Sequence, residues 1–229
     1  MLQAIEISKE YRKGQITTTV LSNINIEINA GEYLMVLGPS GSGKTTLLNI
    51  LGFLDKPTKG SLHFKGQDIC HLSDKERLAL RRQEIGYVFK EANLIDELTV
   101  SENIELPLLY QKIKKRARTE RVKILLGEMN LLHRKKNYPH ELSALEQQKV
   151  AIARAMVIRP SVIFADEPTG DLNSADGSEI LDVLGKINDN GTALILFTHA
   201  KSIIGRAQKL VQLFDGHLLL DNVIKQEWN

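Results

Sequence analysis

The sequence holds a single cysteine, Cys70, which excludes an internal disulfide framework. Such a chain is expected to work in a reducing compartment, with Cys70 as a semi-buried apolar residue. No apolar run approaches the ~20 residues needed to cross a bilayer. The longest, such as Tyr33 to Leu37 and Ala193 to Phe197, have the length of buried strands. The opening Met1-Leu2-Gln3-Ala4-Ile5-Glu6-Ile7 alternates like a strand and lacks the charged start and apolar stretch of a signal peptide. Any membrane role is therefore expected to run through a partner. Charge of one sign is scarce as well. The 30 basic and 28 acidic residues leave a net charge of +2, so there is no general electrostatic case for a nucleic-acid partner. Internal repeats and low-complexity linkers are also absent. What remains is 229 residues of ordinary soluble composition, enough for one core or one core with an inserted subdomain.

The first seventy or so residues read mostly as short strands, near 2–8, 20–28, 33–37 and 61–65. Turn signals separate them at Gly14, Asn29-Ala30-Gly31 and Pro57 to Gly60. A helix should begin inside the glycine-rich segment 38–43 and carry Thr46, Leu47, Leu48, Ile50 and Leu51. A capping box at Ser73 and Glu76 starts a second helix, running to about Gln83. From 94 to 158 Leu, Lys, Arg and Glu dominate, with another capping box at Thr99 and Glu102, as in a helical insertion. Strands return at 161–165 and 192–198 around a helix near 174–188. Strands alternating with helices imply an α/β fold with a largely parallel, covered sheet.

Gly38-Pro39-Ser40-Gly41-Ser42-Gly43-Lys44-Thr45 fits the phosphate-loop pattern and lies between an apolar strand and a helix, the context that pattern requires. Glycines let backbone N–H groups close around phosphate oxygens, and the helix N-terminus adds its dipole. Lys44 would supply positive charge to the β- and γ-phosphates, and the Thr45 hydroxyl is a hard oxygen suited to Mg²⁺. The loop alone does not separate a transporter ATPase from a small-molecule kinase or a GTPase. Ser161 to Ala165 then delivers Asp166 and Glu167 at a strand's C-terminal end, where ligands sit in parallel sheets. Asp166 is expected to hold Mg²⁺ and Glu167 to polarise the attacking water of an in-line phosphoryl transfer. A second buried strand, Thr192 to Thr198, ends at His199, which could reach the γ-phosphate and that water.

The whole chain resembles ATP-binding-cassette ATPases, most closely those of lipoprotein-releasing, macrolide-efflux and cell-division transporters. The likeness rests on Leu48-Asn49-Ile50-Leu51-Gly52-Phe53-Leu54-Asp55-Lys56-Pro57-Thr58, on Ile85-Gly86-Tyr87-Val88-Phe89, and on Ala165-Asp166-Glu167-Pro168-Thr169-Gly170. The resemblance implies a P-loop NTPase core with a mostly parallel sheet, an N-terminal antiparallel β-subdomain and an inserted helical subdomain. The single domain 1–229 would divide into a core with β-subdomain, 1–93 and 159–229, and a helical subdomain, 94–158, that contacts a permease. Tyr11 would stack on adenine, Thr46 would join the nucleotide contacts, and His199 takes the switch-histidine position. ATP and Mg²⁺ would be the ligands. Transmembrane permease subunits and a second cassette, in a homodimer or heterodimer, would be the partners. The chain would sit in the cytoplasm, peripheral on the inner face of the cell membrane.

Three departures from the family pattern stand out. The interface signature, Leu-Ser-Gly-Gly-Gln/Glu in the family, reads Leu142-Ser143-Ala144-Leu145-Glu146 here. Ser143 should cap a helix running to about Ala155, with Glu146 completing the box, and that helix end would face ATP held by the opposite subunit. Ala144 and Leu145 add side chains at a contact that glycine keeps close, so steric conflict or a displaced loop is expected. Lys90 replaces a glutamine; a protonated lysine cannot coordinate Mg²⁺ and would instead pair with phosphate or with an acid of the membrane partner. Asn173 replaces the aspartate of the dimer-crossing loop, with loss of a charge. Together they predict slow or partner-dependent hydrolysis. The competing reading is a structural or regulatory subunit that binds nucleotide and barely hydrolyses it. The basic run Lys112, Lys114, Lys115, Arg116, Arg118, Arg121 and Lys123 reads as a solvated helix or loop, with anionic lipid headgroups as the other possibility.

Overall fold

A hairpin opens the structure, a computed structural model that describes residues 1–223 and side chains through residue 219. Strands β1 (Leu2–Lys13) and β2 (Ile16–Ile28) turn at Gly14, whose φ of 62° suits glycine. Both run longer than the alternating pattern indicates. Their outer halves, paired from Glu10↔Thr19 to Lys13↔Ile16, are exposed, so main-chain pairing extends the strands where no buried face marks them. With β4 (Lys59–Phe64) and the short β5 (Gln67–Asp68) they form an antiparallel sheet in the order β2-β1-β4-β5.

Strand β3 (Tyr33–Leu37) leads into α1 (Lys44–Leu51), and α2 (Asp74–Glu84) leads into β6 (Ile85–Val88). Further along come α3 (Val100–Tyr110), α4 (Lys115–Glu128), α5 (Ala144–Met156), β7 (Val162–Asp166) and α6 (Ser174–Asp189). The chain continues through β8 (Ala193–Thr198), β9 (Lys209–Phe214) and β10 (His217–Val223). The second sheet runs β10-β9-β3-β8-β7-β6 and is parallel except at β10, which pairs antiparallel with β9.

Both faces of this sheet are covered, which is why its central strands are apolar throughout. Tyr33, Met35 and Leu37 enter one core with Leu194 and Leu196, beneath α3 to α6. Leu34 and Val36 enter the other with Ile195 and Phe197, against α1 and the antiparallel sheet. Capping boxes close Ser73 with Glu76, Thr99 with Glu102 and Ser143 with Glu146, so each of these helices starts where the sequence indicates. Helix α5 packs on α3 and also on the sheet. A Cβ at Gly86 of β6 would lie 3.0 Å from the Ala155 carbonyl oxygen, so the last turns of α5 join the α/β core.

Candidate functional site

Strand register brings three C-terminal ends together. Leu37 lies opposite Thr198, and Asp166 opposite Phe197. The Gly38 N–H donates to the Thr198 carbonyl at 3.1 Å, so the loop leaves β3 at the level of the acids. Two glycines are required by space. At Gly43, with φ of 101°, a Cβ would meet Leu21 Cδ2 at 2.9 Å; at Gly38 it would lie 2.4 Å from the Leu213 carbonyl oxygen. Lys44 is only 8% exposed, and its Nζ donates to the carbonyls of Gly38 at 2.6 Å and Pro39 at 2.9 Å.

Thr45 Oγ1 donates to Asp166 Oδ2 at 3.1 Å. Burial pushes the Asp166 carboxyl above its ordinary value, with the Glu167 charge adding to that and the Thr45 bond and Lys44 opposing it. Two hard oxygens of this kind fit Mg²⁺, which typically takes one or two protein ligands and completes its shell with phosphate and water. Among the described residues there is no cluster of three or more His, Cys, Asp or Glu that could hold a metal.

Glu167 occupies left-handed backbone, φ 46°, a conformation that costs a non-glycine residue about 1–3 kcal/mol. Its N–H donates to the Phe197 carbonyl at 2.9 Å. Its carboxylate accepts from Thr198 Oγ1 at 3.0 Å and meets His199 Nδ1 at 2.7 Å. Main chain and side chain are thus both held by the end of β8.

A cavity of about 540 Å³ opens between these groups. Val20, Ser40, Gly41, Gly43, Lys44, Thr45 and Thr46 line one part, and Lys90, Asp166, Glu167 and His199 the other. Gly38, Pro39 and Ser42 are not in its wall. Nor is Tyr11: its ring is 45% exposed, its hydroxyl donates to Asp55 Oδ2 at 3.2 Å, and Lys9 Nζ lies 5.0 Å from the ring centroid.

At the three departures the structure shows contacts within the chain. Ser143 closes a capping box. Its Oγ accepts from the Glu146 N–H at 3.2 Å, and Glu146 Oε2 accepts from the Ser143 N–H at 2.9 Å. Leu145 is half-buried against the core, whereas Ala144 is exposed. Lys90 pairs with an acid of its own chain, Asp171, at 2.7 Å. Asn173 caps α6: its Oδ1 accepts from the Asp176 N–H at 3.0 Å and its Nδ2 donates to Asp176 Oδ2 at 2.8 Å. In the basic run, Arg118 turns back to Glu105 Oε1 at 2.6 Å, while Lys112, Lys114, Lys115, Arg116 and Lys123 are exposed.

Four residues escaped the sequence reading. Val20 reaches the cavity from the hairpin, Thr198 holds Glu167, Asp171 holds Lys90, and Gln148 ties segments of the chain together. Thr198, next to His199 at the end of a buried strand, carried a local signal; the others depend on tertiary contacts.

Residues 21–170 match the protein family described as ABC transporter. An uncharacterized ABC transporter ATP-binding protein of Methanocaldococcus jannaschii is 43% identical over 219 residues, 96% of this chain and 98% of that protein. A macrolide export ATP-binding/permease protein, MacB of Escherichia coli, is 39% identical over 216 residues, 94% of this chain but 33% of that protein. The chain thus spans about a third of that export protein's length. Among solved structures, a dimeric post-hydrolysis state of the ATP-binding cassette MJ0796, bound to ADP and Pi, superposes with a TM-score of 0.90 at 36% identity. That match covers 98% of this chain and 99% of the other.

Proposed function

The chain belongs to the ABC transporter family, and on that premise we propose that it hydrolyses ATP as one of two cassettes driving a membrane permease. The observation that carries this reading is the convergence of Lys44, Thr45, Asp166, Glu167 and His199 on one cavity. Lys44 and the loop amides bind the β- and γ-phosphates, and Thr46 closes the loop side. Thr45 and Asp166 would hold Mg²⁺, which when bound would neutralise charge on the phosphate oxygens. Glu167, fixed by Thr198 and His199, orients and polarises the attacking water in line with the leaving group.

The dimeric ADP-bound relative supports a second cassette as partner, and the relative named ATP-binding/permease supports a permease partner. A groove of about 420 Å³ between α2, β6, α3 and α5 offers that permease an apolar floor, with Tyr87, Phe89 and Leu106, and a cationic rim, with Arg81 and Arg154. No helix among the described residues is long and apolar enough to cross a membrane; the position proposed for the chain, peripheral on the inner face, follows from the permease partner. In the dimer Ser143, Ala144 and the α5 N-terminus face the other subunit's ATP, and the exposed Ala144 methyl keeps that approach loose. Hydrolysis is therefore slow between two copies of this chain, and faster against a partner that carries glycine there. Nothing in the comparisons supports the alternative of a subunit that binds nucleotide without turnover.

The test is equilibrium ATP binding with sedimentation. Lys44→Ala abolishes binding, whereas Glu167→Gln retains it and traps an ATP-bound dimer. Unchanged ATP affinity in Lys44→Ala would remove the assignment of the loop.

A further inference from the structure

Lys90 follows β6, and Asp171 lies just beyond Glu167; their ion pair, Nζ to Oδ1 at 2.7 Å, ties these two segments together at the cavity wall. The Lys90 side chain lies along Gly170, where a Cβ would sit 2.7 Å from Lys90 Cε and 3.0 Å from its Cδ and Cγ. A second link joins the same segments from the interior. Gln148 of α5, 3% exposed, donates through Nε2 to the carbonyls of Phe89 at 2.8 Å and Pro168 at 3.0 Å. The turn between Glu167 and Asp171 is closed by the Gly170 N–H on the Glu167 carbonyl at 2.9 Å. Lys90 consequently faces two cavities, the phosphate-loop cavity and a smaller one of about 320 Å³ that it shares with Asp171, Gln148 and Ala144.

Charge balance explains why a lysine is tolerated here. Asp171 holds the Lys90 ammonium above its ordinary value, first through the hydrogen bond and then through its charge. Without Lys90, Asp171 would be an unpaired carboxylate on the turn that follows Asp166 and Glu167. It would then repel the phosphates that the cavity receives.

We propose that Lys90 and Asp171 are positioning residues acting as one charge-balanced clasp, which fixes loop 170–173 beside the phosphate cavity and keeps the Asp171 carboxylate from opposing ATP. The proposal rests on the ATP-binding reading above. It reverses the simplest expectation for this position, because restoring the family's glutamine at 90 weakens the site while Asp171 remains.

The test uses the parent, Lys90→Gln, Asp171→Asn and the double variant, with two readouts: Mg-ATP affinity and amide hydrogen exchange at Gly170 and Leu172. Lys90→Gln should weaken ATP binding roughly three- to fivefold at low ionic strength, the span of an exposed ion pair. Added salt should shrink that loss. The double variant should return to within about twofold of the parent, since no charge is left unbalanced. All three variants should exchange faster than the parent at Gly170 and Leu172, because each has lost the clasp. Equal ATP affinity in the parent and Lys90→Gln overturns the charge balance. Unchanged exchange in all three variants overturns the clasp. A parent that binds no ATP would instead remove the functional reading itself, whereas a parent that binds ATP and loses it in Lys44→Ala leaves only the clasp at stake.

Discussion

The key side chains of the phosphate cavity are aimed into one space by groups of the same chain, whereas the residues that depart from the family pattern, along the edge the proposed partner would face, turn back on neighbouring segments. Lys44 is held by two loop carbonyls, Thr45 meets Asp166, and Glu167 is gripped by Thr198 and His199. At the edge, Lys90 pairs with Asp171, Asn173 caps α6, and Leu145 leans on the core. Lys90, Asn173 and Leu145 thus each have a partner within the chain, while Ala144 is exposed. In the proposed dimer the consequence would fall on the neighbour's nucleotide, while the chain's own site keeps its full set of side chains.

Breaking the cavity should give the largest effect. Glu167→Gln should lower turnover by about 10²–10⁴-fold, the range for a positioned general base, with ATP affinity nearly unchanged. Steady-state phosphate release checks it, and a variant that turns over like the parent would erase the distinction between cavity and edge. At the edge the expected effects are smaller and differ in kind. Asn173→Ala should cost about 1 kcal/mol of stability through the lost α6 cap, while Asn173→Asp keeps the cap. Denaturant unfolding of the three proteins decides whether Asn173 is there for its cap. For Tyr11, Tyr11→Phe should bind ATP like the parent and Tyr11→Ala should lose about 1 kcal/mol, the order of one aromatic contact. Equal affinities would leave the ring with its Lys9 and Asp55 contacts alone.

The smallest effect concerns pH. Burial alone would raise the Glu146 carboxyl, but the Ser143 N–H and the Arg134 guanidinium together bring it below its ordinary value. A depressed carboxyl stabilises the fold above the unfolded-state pKa, and that contribution is lost as pH falls through the folded value. Glu146→Gln should therefore be less stable than the parent near neutrality and converge with it in acid, as followed by unfolding across that pH range.

Much of this was legible because it is written locally. The phosphate loop, the capping boxes at Ser73, Thr99 and Ser143, and the buried strands before Asp166 and His199 each depend on neighbours in sequence. Strand β6 leaves little trace in the sequence, being four residues long and marked chiefly by Gly86, which fits close against Ala155. Strands β9 and β10 also escaped; β9 is fixed by pairing with β3, and β10 by pairing with β9. The Lys90–Asp171 pair and the Gln148 tether join segments far apart in the chain, so only the fold brings their partners within reach.

The contrast between cavity and edge meets its most direct test at Ala144. Leu145 packs on the core and is best left in place, so the comparison is the parent against Ala144→Gly, each as its own partner. Folded and dimer fractions should be matched and Mg-ATP saturating. Reopening the backbone approach at the α5 N-terminus should raise turnover by roughly tenfold or more with ATP affinity unchanged, in line with recovering part of one charge-stabilising donor. A parent that already turns over at ~10 s⁻¹, with Ala144→Gly no faster, would contradict the account.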